Sequence, residues 1–139
     1  VATPPSIAFL KLIAWAEGPE RRRKDVQDLL FILRHYLDLD NWDRLSGEHR
    51  DLTDEPDFQP DTAAAQLLGR DMARIASPQT IKTITSILDC EIMNGSASRL
   101  VAHMMRFIHE YEDSDPIALL TKLRRGLLED FLPLADPIT

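Results

Sequence analysis

Breaks built from proline, glycine and capping residues divide this sequence into stretches that each carry a helical apolar repeat. Pro4-Pro5-Ser6 supplies a stop and an N-cap ahead of the apolar stretch Ile7 to Ala16, and Gly18-Pro19 ends it. A second helix is expected from about Glu20 to Leu37, with Val26, Leu29, Leu30, Leu33 and Leu37 at core spacing. Asp61 or Thr62 opens a third, through Ala76. Ser77-Pro78 closes that helix and starts the next, serine as cap and proline at the first helical position, where its missing N–H costs nothing. Ile81, Ile84, Ile87, Leu88 and Ile92 form its stripe before Asn94-Gly95 stops it. Ser96 is the expected cap of a fifth helix, with Leu100, Met104, Phe107, Ile108 and Tyr111 facing inward. Asp115-Pro116 repeats the cap-and-proline device for a sixth, reaching about Leu132. The apolar set agrees: 20 Leu and 13 Ala stand against 3 Val and 9 aromatic residues, a bias towards helix formers and away from strand formers. The expected fold is therefore all-α, a helical bundle of about six main helices that opens with an antiparallel helical hairpin.

The 139 residues suit a single domain with one core. Within 1–139, residues 1–37 form the hairpin and 61–139 the rest of the bundle. Between them, 38–60 is polar, with Gly47, Pro56, Pro60 and six Asp, and reads as an acidic connector holding a short helical turn around Trp42 to Leu45. The single cysteine, Cys90, excludes a disulfide framework and a multi-cysteine zinc site, and fits a reducing cytoplasm. No apolar run exceeds five residues, too short to span a bilayer. A net charge of −7, from 23 acidic against 16 basic residues, argues against a domain that grips nucleic acid over its whole surface. Local basic groups remain at Arg21-Arg22-Arg23-Lys24 and at Lys122 to Arg125.

The first helix poses a question about Lys11, which stands alone among apolar residues from Ile7 to Ala16. Its stem can pack while its ammonium reaches water. The second helix offers another reading. Lys11 lies seven residues before Gly18 and Asp25 seven after it, so both sit about 10 Å from the turn at 1.5 Å per residue. Asp28 follows Asp25 by three residues, on the same side of the helix. One cation and two carboxylates are thus free to converge. The ordinary alternative is local: Arg21–Asp25 and Lys24–Asp28 are i,i+4 pairs that need no role beyond helix support.

The hairpin also carries a resemblance. Lys11-Leu12-Ile13-Ala14, a short loop, and then Arg22-Arg23-Lys24-Asp25-Val26-Gln27-Asp28-Leu29 are similar to two motifs of the AbiEii-like nucleotidyltransferases, the toxin side of type IV toxin–antitoxin systems and their relatives. Members carry a helical Lys-Leu-x-Ala element followed by an Arg-x-(Arg/Lys)-Asp-x-x-Asp-Leu helix. The likeness covers roughly the first 37 residues, and no functional motif is matched beyond about Leu39. It implies an enzyme that transfers NMP from an NTP. Lys11 would be the nucleotide-binding lysine near the triphosphate, where a compact ammonium offsets negative charge. Asp25 would be the catalytic aspartate, as base or as orienter of the acceptor hydroxyl. Asp28 would support it, and Arg22 and Lys24 would touch phosphate or an RNA acceptor. An antitoxin protein is the further partner the family implies. One departure is Leu10, where many members have Glu.

The family's fold begins with a mixed sheet that bears a Gly-Ser or Gly-Gly turn and an Asp-x-Asp pair holding Mg²⁺, the metal that offsets triphosphate charge. Three imitations occur here. Asp38-Leu39-Asp40 belongs to the connector, while Gly95-Ser96 and Asp113-Ser114-Asp115 are separated by a helix; Asp115 is better read as a cap. No metal site is credited to this chain. With the chain opening at Val1 almost on the lysine element, it is expected to be the C-terminal helical part of a longer enzyme. The N-terminal catalytic sheet domain would be missing, Mg²⁺ would belong to the full-length parent, and the fragment would be inactive alone. The competing reading is a non-catalytic helical protein-interaction module.

Other chemistry is weaker. His35, His49, His103 and His109 include no i,i+4 pair, which disfavours zinc. Cys90 is expected to be packed or idle, and Met104-Met105 with Phe107 to be core.

Overall fold

The computed structural model describes residues 3–108 and 115–129. Helix α1 (Pro4–Glu17) is capped by Thr3, not by Ser6. The Thr3 hydroxyl accepts from the Ser6 amide, and the Ser6 hydroxyl accepts from the Thr3 amide at 2.9 Å, so both prolines fall inside the first turn. Gly18 closes the helix, its N–H donating to the Trp15 carbonyl. A series of tight turns from Gly18 to Arg22 then delays α2 (Arg23–His35) by three residues relative to the expected start at Glu20. A 3₁₀ turn, Tyr36–Asp38, continues α2. Only one face of α1 is buried, through Ala8, Leu12 and Trp15; Leu10 is exposed, so the helix is less enclosed than its apolar run implies.

Residues 38–60 are more than a connector. Asp40 adopts φ 65° and turns the chain into the short helix α3 (Trp42–Ser46), and a 3₁₀ turn follows at Arg50–Leu52. These pieces bury Leu45 and Leu52 together with the polar Asn41 and His49. The many carboxylates concealed that inward face, because two leucines seven residues apart are a faint apolar signal.

Helix α4 (Pro60–Ile75) runs through the centre, with ten consecutive residues, Ala63 to Met72, buried. Helix α5 (Pro78–Asn94) has the expected Ser77 cap, whose hydroxyl accepts from the Thr80 amide, and it buries Ile84 and Leu88. After a 3₁₀ turn at Gly95–Ala97 comes α6 (Arg99–Ile108). Its N-terminal hydroxyl acceptor is Ser98, which takes the Val101 amide, rather than Ser96. Glu91 reaches across from α5 to accept from the Ser98 hydroxyl and the Leu100 amide, which selects Ser98. Helix α7 (Pro116–Leu128) is capped by Asp115 as expected. Tyr111, His109, Asp113 and the end point near Leu132 lie outside the described residues.

All seven helices and no strand among the described residues make an all-α bundle. Leu12 and Trp15 of α1, Leu29 and Leu33 of α2, Leu67 and Met72 of α4, Leu88 of α5, Met104 of α6 and Leu123 of α7 share one core. The hairpin is therefore built into the bundle, with α1 packing on α2, α4 and α5. The closest approach is between α4 and α7. A Cβ at Gly69 would fall 2.3 Å from the Leu123 carbonyl oxygen, and one at Gly126 would fall 2.1 Å from that of Gln66. Only glycine permits that crossing. Among the described residues no helix is long and apolar enough to cross a membrane.

Candidate functional site

Lys11 projects from α1 towards the first turn of α2. Its Nζ donates to Asp25 Oδ1 at 3.0 Å and reaches Asp28 Oδ2 at 2.8 Å. The equal distances of Lys11 and Asp25 from the turn thus do bring them level. Asp25 Oδ2 accepts from Arg22 Nε at 2.6 Å, and Lys24 lies 3.4 Å from Asp28 Oδ1. The Asp25 partner on its own side is Arg22, not Arg21, because α2 starts at Arg23 and the residues before it are in the turn. The Arg21 guanidinium lies instead over Gly18.

The carboxylates differ in exposure. Asp25 keeps 7% of its side chain accessible, whereas Asp28 keeps 32% and Lys11 31%. Asp25 also stands at the third position of α2, where the positive end of the helix dipole favours an anion. Hydrogen bonds to Asp28 first, and to Asp25 next, raise the Lys11 ammonium above its ordinary value, outweighing burial. The bond from Lys11 correspondingly holds Asp28 below the usual carboxylate value. The cluster therefore presents a firmly charged lysine with one buried and one half-exposed counter-charge.

At the turn above it, Trp15 Nε1 donates to His103 Nδ1 at 2.9 Å. An indole nitrogen only donates, so His103 carries its proton on Nε2, which faces Glu20 at 3.5 Å.

A second, deeper cluster was not legible in the sequence. The Tyr36 hydroxyl donates to Asp71, whose two oxygens also take a fork from Arg44 at 2.8 Å each. Arg70 donates through Nε to Glu129 at 2.7 Å and through its terminal nitrogens to Asp51 at 3.1 and 2.6 Å. His49, 0% exposed, lies between the two arginines. Its Nδ1 is 2.9 Å from Arg70, and its Nε2 is 3.1 Å from Arg44 and 3.0 Å from Glu48. Burial first, then the Arg44 and Arg70 charges, lower the His49 pKa below its ordinary value. Burial and the bond to Asp71 raise Tyr36, and the bond to Asp71 raises Arg44. These residues tie 38–60 to α4 and the end of α7. With every charge met inside the cluster, it reads as structural.

The remaining candidates separate. His35 packs on Phe31, and Cys90 is exposed on α5 rather than packed. Met104 is buried, Phe107 is partly so, and Met105 is exposed. Asp38 accepts from Trp42 Nε1, and Gly95-Ser96 lies in a 3₁₀ turn, so neither imitates the metal-bearing strand. A groove of about 190 Å³ runs along Leu30, Leu33 and Leu37 but includes neither Lys11 nor its two aspartates. Among the described residues no group of three or more His, Cys, Asp or Glu side chains is placed to hold a metal ion. The Mg²⁺ implied by the resemblance thus finds no fitting donor set among the described residues, since Asp25 and Asp28 are both engaged by Lys11. Compared with known proteins, the chain matches no family model, no curated protein and no solved structure.

Proposed function

We propose that this chain is the helical domain of an AbiEii-like nucleotidyltransferase, with Lys11 meeting the triphosphate of an NTP and Asp25 serving NMP transfer. The observation that carries the reading is the meeting of the two motif elements. Lys11 and Asp25, 14 residues apart, are joined at 3.0 Å, and Asp28 completes the group at 2.8 Å. A compact ammonium at that point offsets triphosphate charge. Arg22 and Lys24 flank it, in reach of phosphate or an RNA acceptor. In this reading Mg²⁺ is held by a sheet domain that completes the pocket, and the helices beyond Asp61 shape acceptor binding or dock an antitoxin.

The test is transfer of labelled nucleotide by the full-length protein at subsaturating triphosphate. Lys11→Ala is expected to abolish it, and Asp25→Ala to lower it at least about fivefold, while circular dichroism keeps the helical signal. The 139 residues alone are expected to give no transfer with Mg²⁺ and any of the four triphosphates. Full activity in both variants removes the assignment, and turnover by the isolated chain removes the two-domain arrangement.

A second reading, a non-catalytic interaction module, draws on one observation. Lys11, Arg22, Arg23 and Lys24 each have a carboxylate partner within the hairpin, as a purely structural clasp also requires. It expects no transfer by the full-length protein and no change in any nucleotide interaction on Lys11→Ala.

A further inference from the structure

Each oxygen of Asp25 already faces a cation. Oδ1 accepts from Lys11 at 3.0 Å, Oδ2 accepts from Arg22 at 2.6 Å, and little of the side chain reaches solvent. A general base needs an oxygen within hydrogen-bond reach of the proton it takes. Here both oxygens face cations and the carboxylate is closed over by the hairpin. Asp28 is the rim partner, taking Lys11 on Oδ2 and Lys24, more loosely, on Oδ1. An ammonium has three N–H donors. Two go to the aspartates, and one remains on a side chain that is still partly exposed.

We propose that Asp25 is a positioning residue and not a proton acceptor, and that with Asp28 it tethers Lys11 so that the remaining N–H meets one phosphoryl oxygen of the triphosphate. This rests on the nucleotidyltransferase reading and gives Asp25 a third job, distinct from the base and the orienter of the acceptor hydroxyl that the resemblance offers. The division of labour follows from burial. The anchor in the first turn of α2 is stiff, and the rim carboxylate sets the direction of the free donor. A lysine held at two points has few rotamers left to lose when phosphate arrives.

Two measurements test this. In the 139-residue chain, acylation of Lys11 by acetic anhydride, read by peptide mass mapping, is expected to speed at least about fivefold in Asp25→Asn as the tether loosens. An unchanged rate overturns the tether. Should circular dichroism show that this variant does not fold, Asp28→Asn, at the rim, replaces it with an expected acceleration of about twofold or more. In the full-length protein, with each triphosphate, Mg²⁺ and total RNA as acceptor, Asp25→Asn is expected to raise KM for the triphosphate about fivefold or more. It should leave kcat within about threefold and the acid limb of its pH profile in place. A kcat loss of about a hundredfold at unchanged KM makes Asp25 the base and overturns the inference, leaving the nucleotidyltransferase reading intact. A fall in KM makes Asp25 a mere opposing charge and also overturns it. Absence of transfer by the wild-type protein overturns the nucleotidyltransferase reading itself, and the inference with it.

Discussion

Two ion clusters of similar composition occupy this bundle, and they do different work. The hairpin cluster joins Lys11, Arg22, Asp25 and Asp28 across one turn, with the lysine and one aspartate still in contact with solvent. The deep cluster joins Arg44, Asp71, His49, Arg70, Asp51 and Glu129 from four separate parts of the chain, around a histidine sealed from water. Solvent decides the contrast. A half-exposed pair is screened by solvent and contributes little to stability. In the deep cluster only the centre is sealed: Arg70 keeps 1% of its side chain accessible, while its partners Asp51 and Glu129 keep 57% and 26%, so it is the buried guanidinium that ties the segments together.

The comparison can be broken in graded steps. Arg70→Met removes the guanidinium that serves Asp51, Glu129 and His49 together, and should cost about 3–5 kcal/mol in urea denaturation. A loss below about 1 kcal/mol would place the deep cluster in the same class as the hairpin.

The next effect is a pH dependence. His49 is neutral in the fold and its pKa is lowered from 6.5, so the unfolded chain takes the proton first. Stability from this group is complete above that value and falls as pH drops through 6.5 towards the lowered folded value. The slope reaches at most about 1.4 kcal/mol per pH unit in that window. Denaturation of the wild type and His49→Gln between pH 8 and 5 should show the smaller slope in the variant; identical slopes would remove His49 from the account.

The smallest effect is expected at the hairpin. Lys11→Met should cost about 1 kcal/mol or less, because a third of the lysine is exposed and its aspartates keep Arg22 and Lys24. A cost equal to that of Arg70→Met would mean that the hairpin cluster is a structural clasp first.

The two clusters were also unequally legible. Lys11 and Asp25 are symmetric about Gly18, and one helical rise places both level, so counting residues allowed their meeting beside the local pairs Arg21–Asp25 and Lys24–Asp28. The choice of Arg22 over Arg21 did not follow, because it depends on where α2 starts, and the turns after Gly18 moved that start. Thr3 and Ser98 took the roles expected of Ser6 and Ser96 for a related reason. Several hydroxyls near a helix end compete, and a neighbour such as Glu91, seven residues before Ser98, selects among them. Nothing along the chain couples Arg44 to Asp71 or Arg70 to Asp51, which lie 27 and 19 residues apart.

By itself the sequence determined the all-α class and the approximate places where helices break, and it allowed the pairing across the first hairpin. These depend on caps, apolar period and rise per residue, which act over one or two turns. Only the tertiary structure decided that 38–60 folds inward, that Gly69 and Gly126 let α4 and α7 cross at backbone distance, and that both Asp25 oxygens are engaged. Those features depend on burial and on contacts between segments far apart in the chain, where a charge is stabilised or isolated by neighbours that local spacing does not reveal.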